Sequence, residues 1–163
     1  MKFYILDDLI SSVKVMSNII ESSKLGEIIG TNTNAEKGVA EILAKKPDIV
    51  LVDLLMPVKD GITVVNEVRE VNPDISFIMV SQVVDKNMIS DAYNAGIEFF
   101  ITKPNNRIEI ENVIRRVIEK KQMETVLSGI RSVMGQPSPP LSMQHLKKAA
   151  MNSLQRLKKS WVL

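Results

Sequence analysis

The chain has no cysteine, which excludes disulfides and thiolate metal sites and fits a reducing compartment. No apolar run approaches the roughly 20 residues needed to span a bilayer, so no membrane association is expected. Room for a leader is also missing, because Lys2-Phe3-Tyr4-Ile5-Leu6 enters a strand pattern at once. These absences together lead to the expectation of a cytoplasmic protein. Histidine occurs once, at His145, and reads as a solvated surface residue, not a relay group.

What is present describes an ordinary globular chain. Its 163 residues suffice for one domain with a real core and something smaller beside it. Hydrophobic residues make up 45% and charged residues 25%. The net charge of +2 is unevenly spread. Residues 1–121 carry 15 Lys+Arg against 18 Asp+Glu, and residues 122–163 carry 6 against 1. An acidic body with a basic tail suggests two jobs, and the tail's sign favours an anionic partner.

Strand patterns alternate with helical ones. Phe3–Leu6 is a short apolar run that ends in Asp7-Asp8. Leu9, Val13, Met16, Ile19 and Ile20 then keep helical spacing as far as Lys24. A short strand lies in Gly26–Thr31, and Asn32-Thr33-Asn34 offers a turn and a helix cap. The helix from Ala35 to Ala44 is closed by Pro47. Ile49-Val50-Leu51-Val52 is apolar without interruption, reads as a strand buried on both faces, and delivers Asp53. Asp60-Gly61 turns into a helix ending before Asn72-Pro73, and Ile75–Val80 is a fourth strand ending at Ser81. Asp85 to Ala95 reads as a weakly amphipathic helix with Gly96 as its left-handed cap. Ile97–Ile101 is the fifth strand, running into Thr102-Lys103-Pro104. A strongly amphipathic helix from Arg107 to about Gln122 follows, and its pattern persists through Met123, Val126, Leu127 and Ile130.

Strand–helix alternation repeated in this way argues for a parallel sheet with helices on both faces. The expected fold is α/β, a doubly wound five-stranded parallel sheet of the flavodoxin-like order 2-1-3-4-5, followed by a helical C-terminal tail. In such a sheet the carboxyl ends of all strands open on one edge. That edge collects Asp7, Asp8, Asp53, Ser81 and Lys103. Clustered carboxylates repel, so a hard cation is expected among them, and oxygen-only ligands fit Mg²⁺, with Mn²⁺ or Ca²⁺ as alternatives. A cation and a lysine beside Asp53 are expected to depress its pKa, which argues against a general base. They suit it to attack a phosphoryl group whose oxygens the cation, lysine and hydroxyl then hold. Each residue alone has an ordinary explanation as a cap, a turn or a solvated charge. Their conjunction at successive strand ends does not.

On these residues the chain resembles the chemotaxis-Y-like receiver domain of two-component response regulators. The motifs are Asp7-Asp8 after the first strand, DLLMPVKDG at 53–61, Ser81 ending the fourth strand, and FFITKP at 99–104. The match covers residues 1–121. The resemblance implies that Asp53 is the phosphoacceptor, and that Asp8 ligates Mg²⁺ directly while Asp7 acts partly through water. It implies further that the backbone carbonyl of Leu55 completes the ligands with Asp53. Ser81 corresponds to the switch hydroxyl, Lys103 to the phosphoryl-paired lysine with a cis bond to Pro104, and Phe100 to the switch aromatic that turns inward on activation. Such a protein is not a conventional enzyme. It is a Mg²⁺-dependent phosphoacceptor that catalyses its own phosphorylation and dephosphorylation, with a sensor histidine kinase as donor and a homodimer as an expected phosphorylated form. A phosphatase using Asp53 as nucleophile is disfavoured, because Leu55 stands where dehalogenase-like phosphatases carry a second acid. One departure is Gln82, where the family commonly has alanine. Another is the apolar pair Leu55 and Val83, expected to exclude water and prolong the phosphoaspartate.

Beyond the receiver, 122–140 reads as a helix extension and Pro-rich linker. Residues 141–163 read as a basic amphipathic helical segment, with Leu146, Ala150, Leu154, Leu157 and Trp161 expected on one stripe. Two outputs stay open: a phosphorylation-controlled transcriptional regulator that binds DNA, of which this is the N-terminal part, and a stand-alone receiver acting through protein contacts. The prolines at 137–140 interrupt the continuous helix from which an RNA-binding antiterminator output grows.

Overall fold

The structure, a computed structural model, describes residues 1–82, 85–103 and 106–133. Expectations for Val83, the Lys103–Pro104 bond, the Pro-rich linker and the 141–163 segment lie outside the described residues. Contacts divide the chain into a unit Met1–Lys121 and a second that begins at Gln122.

The first unit is built on β1 (Lys2–Leu6), β2 (Glu27–Asn32), β3 (Ile49–Val52), β4 (Ser76–Ser81) and β5 (Phe99–Thr102). They form one sheet in the order β2-β1-β3-β4-β5, and every pairing is parallel. Between them run α1 (Ile10–Ser22), α2 (Ala35–Lys45), α3 (Gly61–Val71) and α4 (Lys86–Ala95), with α5 (Arg107–Val133) after β5. The expected topology is therefore the one found.

Alternation along the strands sorts the core into two layers. Tyr4, Leu6, Val50, Val52, Phe77 and Met79 pack on one face with residues of α2 and α3 and with Ala92 of α4. Phe3, Ile5, Ile49, Leu51, Ile78, Val80 and Ile101 pack on the other with residues of α1 and α5. All four residues of β3 are buried, as a central strand covered on both faces requires. Each fully buried aliphatic side chain contributes about 1.5–3 kcal/mol relative to exposure. This double layer leaves the strand ends little freedom to shift.

Caps set where the helices begin. Asn34 accepts from the Lys37 amide at 2.9 Å, Asp60 from Thr63 at 2.7 Å, and Asp85 from Asn87 and Met88. Gly96 closes α4 at φ 101°, and the Ile97 amide still bonds back to Ala92. That terminator explains why β5 starts at Phe99 and not at the expected Ile97. Leu9, placed by periodicity on the buried face of the first helix, is instead its N-cap and half exposed. The last helix does run past Gln122, to Val133.

Gly61 matters for a different reason from Gly96. Its amide donates to the Leu54 carbonyl at 2.8 Å, and a Cβ there would stand 2.3 Å from the Asp53 carbonyl oxygen. The backbone carrying Asp53 passes against this helix start. Gly61→Ala is therefore expected to destabilise the chain by about 1–3 kcal/mol through overpacking against main chain. Urea unfolding checks this, and an unchanged midpoint would contradict the close approach.

Candidate functional site

The backbone ladder continues one residue beyond most strands and so fixes what hangs there. After β1, the Asp7 amide bonds to the Asn32 carbonyl at 3.3 Å, and after β3 the Asp53 amide bonds to Leu6 at 2.9 Å. After β5, the Lys103 amide bonds to the Ser81 carbonyl at 2.8 Å. Ser81 itself is the last residue of β4, opposite Thr102. Side chains from four strand ends thus share one edge.

They are also largely buried there. Asp7 is 4% exposed, Asp53 6% and Ser81 1%. Carboxylate oxygens of Asp7, Asp8 and Asp53 lie within 4.8 Å of one another. The Lys103 ammonium reaches Asp7 Oδ2 at 2.6 Å and Asp53 Oδ1 at 3.4 Å. It also donates to Ser12 Oγ at 3.3 Å. Asp7 Oδ1 accepts from the Leu9 amide at 3.0 Å, so this aspartate does serve as a turn former while its other oxygen faces the lysine. A cavity of about 140 Å³ opens over the group, lined by Asp8, Leu9, Asp53, Leu55, Ser81, Gln82 and Lys103.

Electrostatics differ in one respect from the sequence expectation. Burial pushes the Asp53 carboxyl above its ordinary value; Lys103 opposes this, Asp7 adds to it, and a hydrogen bond with Ser81 opposes it. In the protein without a cation, loss of water outweighs the ammonium, so Asp53 is not held low. The cause is depth: a strand buried on both faces carries its terminal carboxylate below the surface.

The remaining expected residues are placed as follows. Phe100 is half-buried, packs against the core layer of α2 and α3, and its amide donates to the Tyr93 hydroxyl at 3.2 Å. The Leu55 side chain is 52% exposed and forms part of the cavity lip. Gln82 is exposed and lines the same cavity. Ser12 was not foreseen. A serine in the first turn of a helix carries no periodic signal, and only the lysine's reach across the edge reveals it.

Comparison with known proteins now decides the family. The family model matching residues 3–115 is that of the response regulator receiver domain. The chain belongs to this family. It is 38% identical over 132 residues to the transcriptional regulatory protein GlnL of Bacillus subtilis (strain 168), covering 80% of this chain and 42% of GlnL. It is 31% identical over 114 residues to the chemotaxis protein CheY of Thermotoga maritima, covering 69% of this chain and 93% of CheY. Among solved structures, the CheX–CheY–BeF3–Mg²⁺ complex from Borrelia burgdorferi superposes with a TM-score of 0.68 at 28% identity, over 72% of this chain and 89% of that one. NtrX from Brucella abortus gives a TM-score of 0.76 at 21% identity, over 91% of this chain and 33% of that one, which shows the fold alone. The receiver-bearing chain thus spans 42% of GlnL and 34% of a second B. subtilis regulator, YesN. Among the described residues no helix is long and apolar enough to cross a membrane.

The raised Asp53 pKa makes stability depend on pH with a definite sign. This receiver binds the Asp53 proton more tightly when folded, so ionising the group as pH rises through its folded value costs stability. Asp53→Asn is therefore expected to raise the urea midpoint near neutral pH in chelator. The advantage should fade as pH falls towards about 4, the unfolded carboxyl value. An advantage that grows on acidification would contradict the burial account.

Proposed function

We propose that this receiver accepts a phosphoryl group on Asp53 and uses it to switch an output. The observation that carries the reading is the single cavity where the Asp53 carboxylate meets the Lys103 ammonium and the Ser81 hydroxyl. An ionised Asp53 oxygen attacks phosphorus. The P–N bond of a phosphohistidine on a sensor kinase, or the P–O bond of acetyl phosphate, breaks as the leaving group takes its electron pair. Negative charge on the transferring oxygens needs donors aimed at it, and Lys103 and Ser81 are the side chains able to supply them. The phosphoryl group ends on the chain's own Asp53 side chain.

The acidic edge fits a hard divalent cation, because its ligand set is oxygen alone and its carboxylate oxygens lie within 4.8 Å of one another. Asp7, Asp8, Asp53 and the Leu55 carbonyl would hold Mg²⁺, which supplies positive charge beside the phosphoryl oxygens. Phosphorylation then adds roughly two negative charges and three acceptor oxygens at the edge. Ser81 moves towards them, and Phe100, half-buried beside the core, turns into the space that Ser81 leaves. The face of α4, β5 and α5 changes shape as a two-state element biased by a covalent ligand.

The output reading favoured is DNA-binding transcriptional regulation. GlnL and YesN are named transcriptional regulators, and residues 122–163 carry 6 basic against 1 acidic side chain. A second reading, a stand-alone receiver working through protein contacts, is favoured by the match over 93% of T. maritima CheY.

Acetyl phosphate with Mg²⁺ is expected to label the native chain and leave Asp53→Asn unlabelled; persistent labelling of the variant would refute the assignment. The apolar lip at Leu55 should keep water from the phosphoaspartate, so the Mg²⁺-loaded phosphoprotein is expected to persist for minutes. Decay within seconds would contradict that role.

A further inference from the structure

The Lys103 ammonium has three donors on one nitrogen. Among the described residues its acceptors are Asp7 Oδ2 at 2.6 Å, Ser12 Oγ at 3.3 Å and Asp53 Oδ1 at 3.4 Å. Two of these belong to the acidic cluster. The third is neutral and comes from α1, whereas the others all sit at strand ends. We propose that Ser12 is a positioning residue that holds Lys103 when the acidic cluster takes up a divalent cation, and so strengthens cation binding. The inference rests on the reading of that cluster as a Mg²⁺ site.

Asp7 and Asp53 each give the ammonium an oxygen on whose charge the cation would also draw. Asp7 Oδ1 is engaged by the Leu9 amide at 3.0 Å, within the turn that starts α1. That bond holds the Asp7 carboxylate in place, with Oδ2 towards the ammonium. Asp7 Oδ2 and Asp53 Oδ1 face the ammonium and belong to carboxylates of the acidic cluster, so a divalent ion there competes for their charge with its own larger one. An ammonium whose carboxylate bonds are weakened in this way still sits in a nearly closed site, with its side chain only 12% exposed. A buried ammonium left with unsatisfied donors is costly. Ser12 offers a neutral acceptor that the cation does not consume and that does not add to the negative charge around it.

The two states therefore depend on Ser12 unequally. Without the cation, Asp7 and Asp53 satisfy the ammonium and the hydroxyl adds little. With the cation, both carboxylates are shared and the hydroxyl becomes a principal partner. Removing it should penalise the bound state more than the free one. A hydrogen bond to a charged group has a magnitude that, spent partly in both states, leaves about a threefold to tenfold weakening of cation affinity.

Calorimetric titration of the unphosphorylated full chain with MgCl2 tests this directly. Ser12→Ala should raise the Mg²⁺ dissociation constant by about threefold to tenfold, while its melting temperature in chelator matches the native chain. Ser12→Thr, which keeps the hydroxyl, should bind like the native protein. An unchanged constant in Ser12→Ala, or equal weakening in both variants, overturns the role. A native chain that binds no Mg²⁺ overturns both this inference and the metal reading beneath it. Because no phosphoryl donor is present in the titration, failure of Asp53 labelling leaves the Ser12 result standing on its own.

Discussion

Two buried carboxylates, Asp7 and Asp53, face each other at the edge of the sheet, and the Lys103 ammonium between them makes that arrangement tolerable. Like charges out of water repel strongly and lose hydration. One lysine, reaching from the far side of the sheet, offsets both penalties in part. The compensation is incomplete, since burial still pushes the Asp53 carboxyl up. An edge left short of positive charge attracts more of it, either as a cation among the carboxylates or through chemistry that recruits one.

The fold makes this arrangement reproducible. A parallel sheet sends every strand towards the same edge, and the strand order puts β1, β3, β4 and β5 side by side. Backbone bonds from Asp53 to Leu6 and from Lys103 to Ser81 extend the ladder to the candidate site residues themselves. Gly61 lets α3 start against the main chain of Asp53. The site is thus supported by the sheet and by the start of a helix.

Much of this was legible before the structure because each motif follows directly on an apolar run. Asp7, Asp53 and Lys103 sit immediately past their strands and Ser81 closes its own, so strand ends and site residues were found together. The topology followed from the strand–helix alternation. Boundaries slipped where a local terminator acted, as when Gly96 and the Ile97 amide closed α4 and delayed β5. The direction of the Asp53 shift was not legible, because weighing burial against a lysine requires depth, and sequence neighbours do not report depth. Ser12 was invisible for a related reason: its partner lies 91 positions away.

A crystal structure of the chain with Mg²⁺ and a beryllofluoride mimic of the phosphoryl group tests the central claim most directly. The expected result is an ion held by Asp8, Asp53 and the Leu55 carbonyl, with Asp7 acting partly through water, and fluoride held by Lys103 and Ser81. The Lys103 ammonium should then have turned from Asp53 Oδ1 to the fluoride and kept Ser12. An edge with no ion among the three carboxylates, or fluoride held by neither Lys103 nor Ser81, would contradict it.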